Sequence, residues 1–263
     1  MHQKYTDSSD NSGINYITSL FINRSEAYFA TFSTNGNLNV WTFNPQKQNY
    51  ELYSTNSYKK KLQDVIALTI LDNDYLLLLS GGYDNLINVH VLKRFSVNNN
   101  KKDNEKPEIE FKLSLQGHAN SIRDLAFSPS LYGDSEPKGK DLVFASCSQD
   151  TYIRLWHVSK ISKEEIEKLV GNMTKKEANS IYEEYKNKMS YVFKTKEQEY
   201  FNIVLDSVLA GHEEPVSSVR WGIVDNKNVL LTSSFDFTIG IWKWDNNMVN
   251  SFFSYKLILM LIF

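Results

Sequence analysis

The chain has 263 residues, 41% of them hydrophobic and 13% aromatic, so it can bury the core of one all-β domain. Its 29 lysines and arginines nearly balance 31 aspartates and glutamates, and the net charge of −2 excludes a strongly basic surface that tracks nucleic acid. A single cysteine, Cys147, excludes an intrachain disulfide and favours a reducing compartment. Because the polar, acidic start has the character of neither a secretory signal nor a transit peptide, we expect a cytoplasmic chain that also enters the nucleus.

Two strand-rich units come first in the chain. Each begins with a predicted strand, at 14–22 and at 64–71, and continues through two β-rich segments that flank a turn. An aromatic ring stands six residues after the turn residue in both units, as Trp41 after Asn35 and as His90 after Asp84. These patterns predict four-stranded units at residues 14–56 and 57–115, and the polar stretch 96–108 predicts a loop in the second unit.

Two stronger units follow, at residues 116–208 and 209–245. Each starts with Gly-His, passes through a second apolar segment that ends in Asp, and reaches Trp six residues later; the key residues are His118, Asp150, Trp156, His212, Asp236 and Trp242. A Gly-His start and a Trp finish on a unit of about 40–45 residues is typical of the WD repeat, a four-stranded propeller blade. We therefore predict an all-β WD-repeat propeller segment of about four blades in an incomplete ring.

The third unit carries an insertion at about residues 161–196. Two possible capping boxes, Ser162 with Glu165 and Thr174 with Glu177, precede apolar residues at four-residue spacing, which predicts one or two helices. These helices either bind a partner or fold back on their own blade. Residues 246–263 form an apolar tail that is too short to span a membrane; it is either an outer strand or sequence from a truncated gene model.

The repeated histidines, aspartates and serines also allow a hydrolase interpretation. His118 with Asp150 and either Ser146 or Ser148, and His212 with Asp236 and Ser234, have the residue types of a nucleophilic triad. A constellation repeated at blade spacing, without a nucleophile elbow, instead favours a buried network that ties a loop to a hairpin. We predict that the following residues form this structural network and are not catalytic: His118, Ser148, Asp150, Trp156, His212, Ser234, Asp236 and Trp242.

The scattered histidines and the single cysteine predict no metal site, and no phosphate-binding or dinucleotide motif indicates a cofactor.

One part of the sequence is more specific than the repeat pattern. The run ASCSQD followed by IRLW (145–156) and the run VLDSVLAGHE (204–213) resemble the family of Elongator complex subunit 2. The interruption between these two blades also resembles that family. The resemblance is close over residues 113–242, looser over 66–95, and architectural before that.

The resemblance implies a non-catalytic scaffold. The family's subunit is a double propeller within the complex that modifies the wobble uridine of certain tRNAs. It contacts the catalytic radical-SAM and acetyltransferase subunit and the largest subunit. The resemblance therefore implies these protein partners, no direct nucleic-acid contact and no membrane attachment. The chain supplies four predicted blades where the family has two whole rings, and the resemblance stops after Trp242.

Another kind of WD-repeat adaptor is the main alternative. Substrate receptors of ubiquitin ligases often carry Trp-Asp-x-Arg at the end of a blade, whereas here Trp156 is followed by His157 and Trp244-Asp245 by two asparagines. The missing arginine disfavours that class.

Overall fold

The computed structural model describes residues 13–58, 63–94, 107–129, 142–162, 164–166, 190–195, 199–245 and 251–258, the last of these as backbone only. In these parts of the chain, seventeen strands form four antiparallel sheets. The first sheet contains β1 (Ile14–Asn23), β2 (Glu26–Ser33), β3 (Asn37–Asn44) and β4 (Asn49–Ser57). The second contains β5 (Gln63–Ile70), β6 (Tyr75–Gly82), β7 (Ile87–Lys93) and β8 (Glu110–Leu115).

The third sheet has five strands, and the fourth has four. The third contains β9 (Ile122–Phe127), β10 (Leu142–Ser148), β11 (Ile153–Ile161), β12 (Ser190–Lys194) and β13 (Tyr200–Leu209), in the spatial order β9-β10-β11-β13-β12. The fourth contains β14 (Val216–Val224), β15 (Lys227–Ser234), β16 (Thr238–Asp245) and β17 (Ser251–Ile258). β17, which lies in the apolar tail, is the outermost strand of this sheet.

The sheets stack face to face in chain order as propeller blades. The first strands of successive blades are neighbours, β1 beside β5, β5 beside β9 and β9 beside β14, so that they line the inner side of an arc. Three apolar clusters fill the three spaces between successive blades. The predicted fold class is confirmed: the chain is an all-β propeller segment of four blades in an incomplete ring.

Burial explains the composition of the second blade. Every residue of β6 is buried, because Leu76 and Leu78 face the first blade while Leu77 and Leu79 face the third. A strand covered on both faces has no reason to alternate apolar with polar residues, which accounts for its run of leucines. The outer blades are covered on one side only, so Ile17 and Phe21 of β1 and Leu231 of β15 are exposed.

The insertion in the third blade differs in part from the prediction. The capping box at Ser162 is present: the backbone N–H of Ser162 donates to Glu165 Oε2 at 2.8 Å, and that of Glu165 donates to Ser162 Oγ at 3.1 Å. One helical turn at 164–166 follows, and the second capping box and the apolar spacing up to Met189 lie outside the described residues.

Part of the predicted insertion, about residues 161–196, belongs to the sheet of the third blade. Residues 190–194 form β12, which lies outside β13. The reason is that Tyr191 and Phe193 alternate with exposed and half-buried neighbours, and both enter the core between the second and third blades.

Candidate functional site

Two equivalent hydrogen-bond networks occupy the third and fourth blades. Each joins the loop before the first strand, which carries the Gly-His pair, to the turn between the second and third strands, which carries the Asp. Close packing favours glycine beside the histidine, because a Cβ at Gly211 would lie 3.2 Å from Trp242 Cη2. The predicted third-strand aromatic residues lie on β3, β7, β11 and β16, as Trp41, His90, Trp156 and Trp242.

In the third blade the network runs through four side chains. His118 Nδ1 lies 2.8 Å from Asp150 Oδ2, and His118 Nε2 lies 2.9 Å from Ser146 Oγ. Trp156 Nε1 donates to the same Ser146 oxygen at 2.9 Å. The backbone N–H of Ala119 also donates to Asp150 Oδ2, at 2.9 Å. The Asp therefore holds both the histidine and the backbone that follows it.

The partners decide the tautomer of His118. A carboxylate only accepts, so Nδ1 carries the proton, and Nε2 accepts the hydrogen of the Ser146 hydroxyl. That hydroxyl is then free to accept from Trp156. Arg154 Nη1 lies 3.1 Å from Asp150 Oδ2 and 2.7 Å from His118 Nδ1. Because Nδ1 carries a proton and cannot accept, Arg154 donates its hydrogen bond to Asp150.

The fourth blade repeats this arrangement without an arginine. His212 Nδ1 lies 3.0 Å from Asp236 Oδ2, and His212 Nε2 lies 2.8 Å from Thr232 Oγ1. Trp242 Nε1 donates to Thr232 Oγ1 at 3.0 Å, and the backbone N–H of Glu213 donates to Asp236 at 3.0 Å. Threonine thus supplies the hydroxyl that serine supplies in the third blade.

The electrostatics favour an ionised aspartate in both networks and a neutral histidine in the third blade. Burial, with a contribution from the positive charge of Arg154, lowers the pKa of His118. Burial acts to raise the pKa of Asp150, but hydrogen bonds from His118 and from backbone N–H groups hold that pKa well below its usual range. The pKa of Asp236 is likewise lowered against burial, by hydrogen bonds from Thr238, Glu213 and His212.

Two predicted members, Ser148 and Ser234, tie the loop to the turn but do not bridge histidine to tryptophan. Ser148 Oγ donates to the carbonyl of Asn120 at 2.8 Å and accepts from the backbone N–H of Asp150 at 3.1 Å. Ser234 does the same with Glu214 and Asp236. The physical reason is position, since both serines end their strands beside the turn, too far along to reach the indole.

The bridging hydroxyls have a sequence signal of their own. Each stands ten residues before the third-strand aromatic residue, as Ser146 before Trp156 and Thr232 before Trp242. Thr31 and Trp41 keep the spacing in the first blade, with a longer contact of 3.4 Å. In the second blade, Ser80 stands ten residues before His90.

The second blade replaces the network by a different pair. The Tyr58 hydroxyl, next to β4, contacts His90 Nε2, and the two rings meet edge to face with centroids 5.6 Å apart. Burial lowers the pKa of His90 to about 4, so that this histidine is also neutral. The second blade therefore closes its loop with an aromatic hydroxyl in place of a histidine.

These networks have the residue types of a hydrolase triad but lack access for a substrate. Ser146 is 0% exposed, and Trp156, also 0% exposed, covers its oxygen. A serine nucleophile has to reach the substrate carbonyl beside an oxyanion hole. The geometry supports anchoring of the loop, because the Ser146 hydroxyl is bound to both His118 and the indole of Trp156.

The inner strands contain a second polar centre that the sequence analysis missed. The buried Asp124 of β9 accepts from the Tyr16 hydroxyl of β1 at 2.7 Å and from Ser218 Oγ of β14 at 2.7 Å. The backbone N–H of Val219 donates to it at 3.1 Å, and Arg220 also binds it. Burial, together with the negative charge of Asp124, raises the pKa of Tyr16 to about 12. One carboxylate thus joins three blades.

Among the residues that the structure describes, no group of three or more His, Cys, Asp or Glu side chains is arranged to hold a metal ion. Nor does any described helix have the length and apolar character needed to cross a membrane.

Comparison with known proteins agrees with this architecture. The family model of the WD domain, G-beta repeat, matches residues 109–157 and 204–243, which cover much of the third and fourth blades. A chain from a solved, inhibitor-bound humanized mutant of Chaetomium thermophilum Polycomb Repressive Complex 2 superposes with a TM-score of 0.52. That match covers 93% of this chain and 41% of the other at 17% identity, and shows the fold alone. The fold and the networks define a WD-repeat propeller segment.

Sequence comparison points to one kind of WD-repeat protein. Elongator complex protein 2 of Drosophila melanogaster is 26% identical over 91% of this chain and 29% of its own length. The Dictyostelium discoideum protein of the same name is 28% identical over 74% of this chain and 23% of its own. The human protein is 32% identical over 51% and 15%. Among WD-repeat proteins, the chain is similar to Elongator complex protein 2 from these organisms. It spans less than a third of the length of these three relatives.

Proposed function

We propose that the chain acts as a non-catalytic scaffold segment of the Elongator subunit 2 type. In this role it supports wobble-uridine modification of tRNA through contacts with other proteins. Its partners are the catalytic radical-SAM and acetyltransferase subunit and the largest subunit, in the cytoplasm and also the nucleus. Direct binding to nucleic acid and to membranes is not part of this role.

The observation that carries the proposal is the continuity of the resemblance. Relatives with one and the same name, from an insect and a slime mould, align with 91% and 74% of the chain. Their alignments extend well beyond the two blades that the general WD-repeat model matches. The buried state of Ser146 supports the non-catalytic part, because the hydroxyl that a triad would need is enclosed.

The test is association in the cells that express the chain. An epitope-tagged 263-residue chain should co-purify with the catalytic and largest Elongator subunits, whereas a tagged WD-repeat chain of another family, expressed equally, should not. Depletion should lower the modified wobble uridines measured by mass spectrometry of tRNA. Absence of association together with unchanged tRNA would overturn the proposal and favour another WD-repeat adaptor.

A further inference from the structure

An open pocket of about 410 Å³ lies where the chain enters the inner strands of the first three blades. Its walls include Asn15 and Tyr16 at the start of β1, Asp64 near the start of β5, and Arg123 near the start of β9. Tyr83, in the turn between β6 and β7, forms its rim. The pocket therefore lies at the end of the blades that also carries the turns between second and third strands.

The charges in this pocket are unequally satisfied. Asn15 Nδ2 donates to Asp64 Oδ1 at 3.3 Å, so the carboxylate has a donor inside the pocket. The half-buried Arg123, by contrast, makes no hydrogen bond or ion pair to any residue that the structure describes. A guanidinium has five N–H donors in a planar fork, which matches a carboxylate. Within the described part of the chain, the group left without a partner is a cation, so charge complementarity favours an acidic ligand.

Exposed aromatic side chains lie on turns at the same end of the molecule as the pocket, and one of them, Tyr83, lines it. Equivalent turns of successive blades expose Tyr83 by 56%, Tyr152 by 40% and Phe237 by 86%. Such turns project from a rigid sheet, and exposed aromatic rings next to an arginine are typical of the energetically dominant parts of protein interfaces. The pocket thus combines a cation at its wall with one exposed tyrosine at its rim.

We propose that this end of the molecule binds an acidic peptide segment of a partner protein. A Glu or Asp carboxylate of the segment pairs with Arg123, and an adjacent aromatic side chain packs on Tyr83. Asp64, on the other wall, opposes a second negative charge and limits the site to one carboxylate. This binding site follows from the pocket itself and does not depend on membership in Elongator.

The test uses the whole chain and three capped pentapeptides with a fluorinated phenylalanine at the centre. The phenylalanine is flanked by glutamates, glutamines or lysines, and binding is followed by fluorine nuclear magnetic resonance at low salt. The glutamate peptide should bind, the glutamine peptide more weakly, and the lysine peptide not at all. Arg123→Gln should weaken binding of the glutamate peptide about tenfold or more, as expected for loss of a charge-assisted contact.

Matched variants separate this site from general charge effects. Arg24→Gln removes the same charge from the opposite end of the first blade and should leave binding unchanged. Arg123→Lys keeps the positive charge and should retain part of the affinity. This result would show that the loss of binding in Arg123→Gln comes from the lost charge and not from unfolding. Asp64→Asn should tighten binding of the glutamate peptide, because it removes a repulsive charge. Equal binding of all three peptides, no binding of the glutamate peptide, or equal loss in Arg24→Gln would overturn the proposal.

Discussion

The imidazole of each Gly-His pair bridges two oxygens of different kinds, a carboxylate that accepts a hydrogen bond from the ring and a hydroxyl that donates one to it. In the fourth blade, His212 donates through Nδ1 to an aspartate and accepts through Nε2 from a threonine hydroxyl. Both contacts lie inside the blade, where an unpaired polar group is costly. The stabilising role of the histidine therefore depends on both ring nitrogens at once.

His212→Ala should lower the free energy of unfolding by about 1–3 kcal/mol, because Thr232 and Asp236 each lose a buried partner. The measurement is urea denaturation followed by tryptophan fluorescence. Lys243→Ala, an exposed change on the same blade, serves as the control and should have little effect. If the two variants unfolded alike, the imidazole would not be the anchor described above.

A glycine in the same blade provides a sharper steric test. A Cβ at Gly240 would overlap Thr232 Oγ1 and lie 2.7 Å from Trp242 Nε1, whereas a Cβ at Gly222 would meet nothing within 4 Å. Gly240→Ala should therefore lower the free energy of unfolding by about 1–3 kcal/mol through overpacking. Gly222→Ala should change it by less than about 0.5 kcal/mol. Thermal unfolding of both variants checks this, and equal stability would contradict the network geometry.

The buried histidines make stability depend on pH. His90 has a pKa of about 4 in the folded chain because of burial, below its usual value. Such a group contributes its full stability above the unfolded pKa of about 6.5 and loses it as the pH falls towards the folded pKa. The lowered pKa of His118 acts in the same direction. Asp150 and Asp236, with lowered pKa values, lose their contribution only below about pH 4.

Lowering the pH from 7 to 5 should therefore reduce the free energy of unfolding, with about 2 kcal/mol coming from His90. Urea titrations at both pH values measure the loss. In His90→Gln the loss should shrink by that amount, since glutamine does not titrate. An unchanged pH dependence in this variant would show that His90 is not the titrating group.

At the scale of single elements, the sequence predicted strands better than it predicted the insertion. The first three blades have their turns at Asn35-Gly36, Asp84 and Asp150, as their turn residues indicate. β12 was missed because its five residues follow a long stretch rich in Lys and Glu, where four-residue spacing favoured a helix. What makes it a strand is tertiary: Tyr191 and Phe193 fill space between two blades, and Tyr191 Oη accepts from Gln116 N at 3.0 Å.

Two deletions distinguish the contribution of the insertion to stability from that of β12. Replacing residues 163–189 with a flexible linker of about eight residues should leave the cooperative unfolding transition intact, because surface insertions are tolerated. Extending the deletion to residue 198 removes β12 and should cost about 3–5 kcal/mol through lost burial of two aromatic rings. Calorimetry distinguishes the two. Loss of the transition in the shorter deletion would assign the inserted residues to the core.

At the scale of the whole molecule, the histidine, aspartate and tryptophan of the networks in the third and fourth blades could be found from the sequence, and the contacts between blades could not. His118, Asp150 and Trp156 lie within one repeat, and their spacing recurs in the next repeat, so that comparison within the sequence finds them. Asp124 has no such recurrence. Its partners Tyr16 and Ser218 lie 108 and 94 residues away, and only the folded arrangement brings them together.

Asp124 gives the four blades a property that simple stacking would not. In a linear array of repeats, each unit interacts with its nearest neighbours, and the ends can unfold while the middle persists. Here a carboxylate in the third blade holds a hydroxyl from the first and a strand from the fourth, so detachment of the first blade removes one donor from a buried carboxylate in the third. The repeats of this chain are therefore expected to fray together rather than one by one.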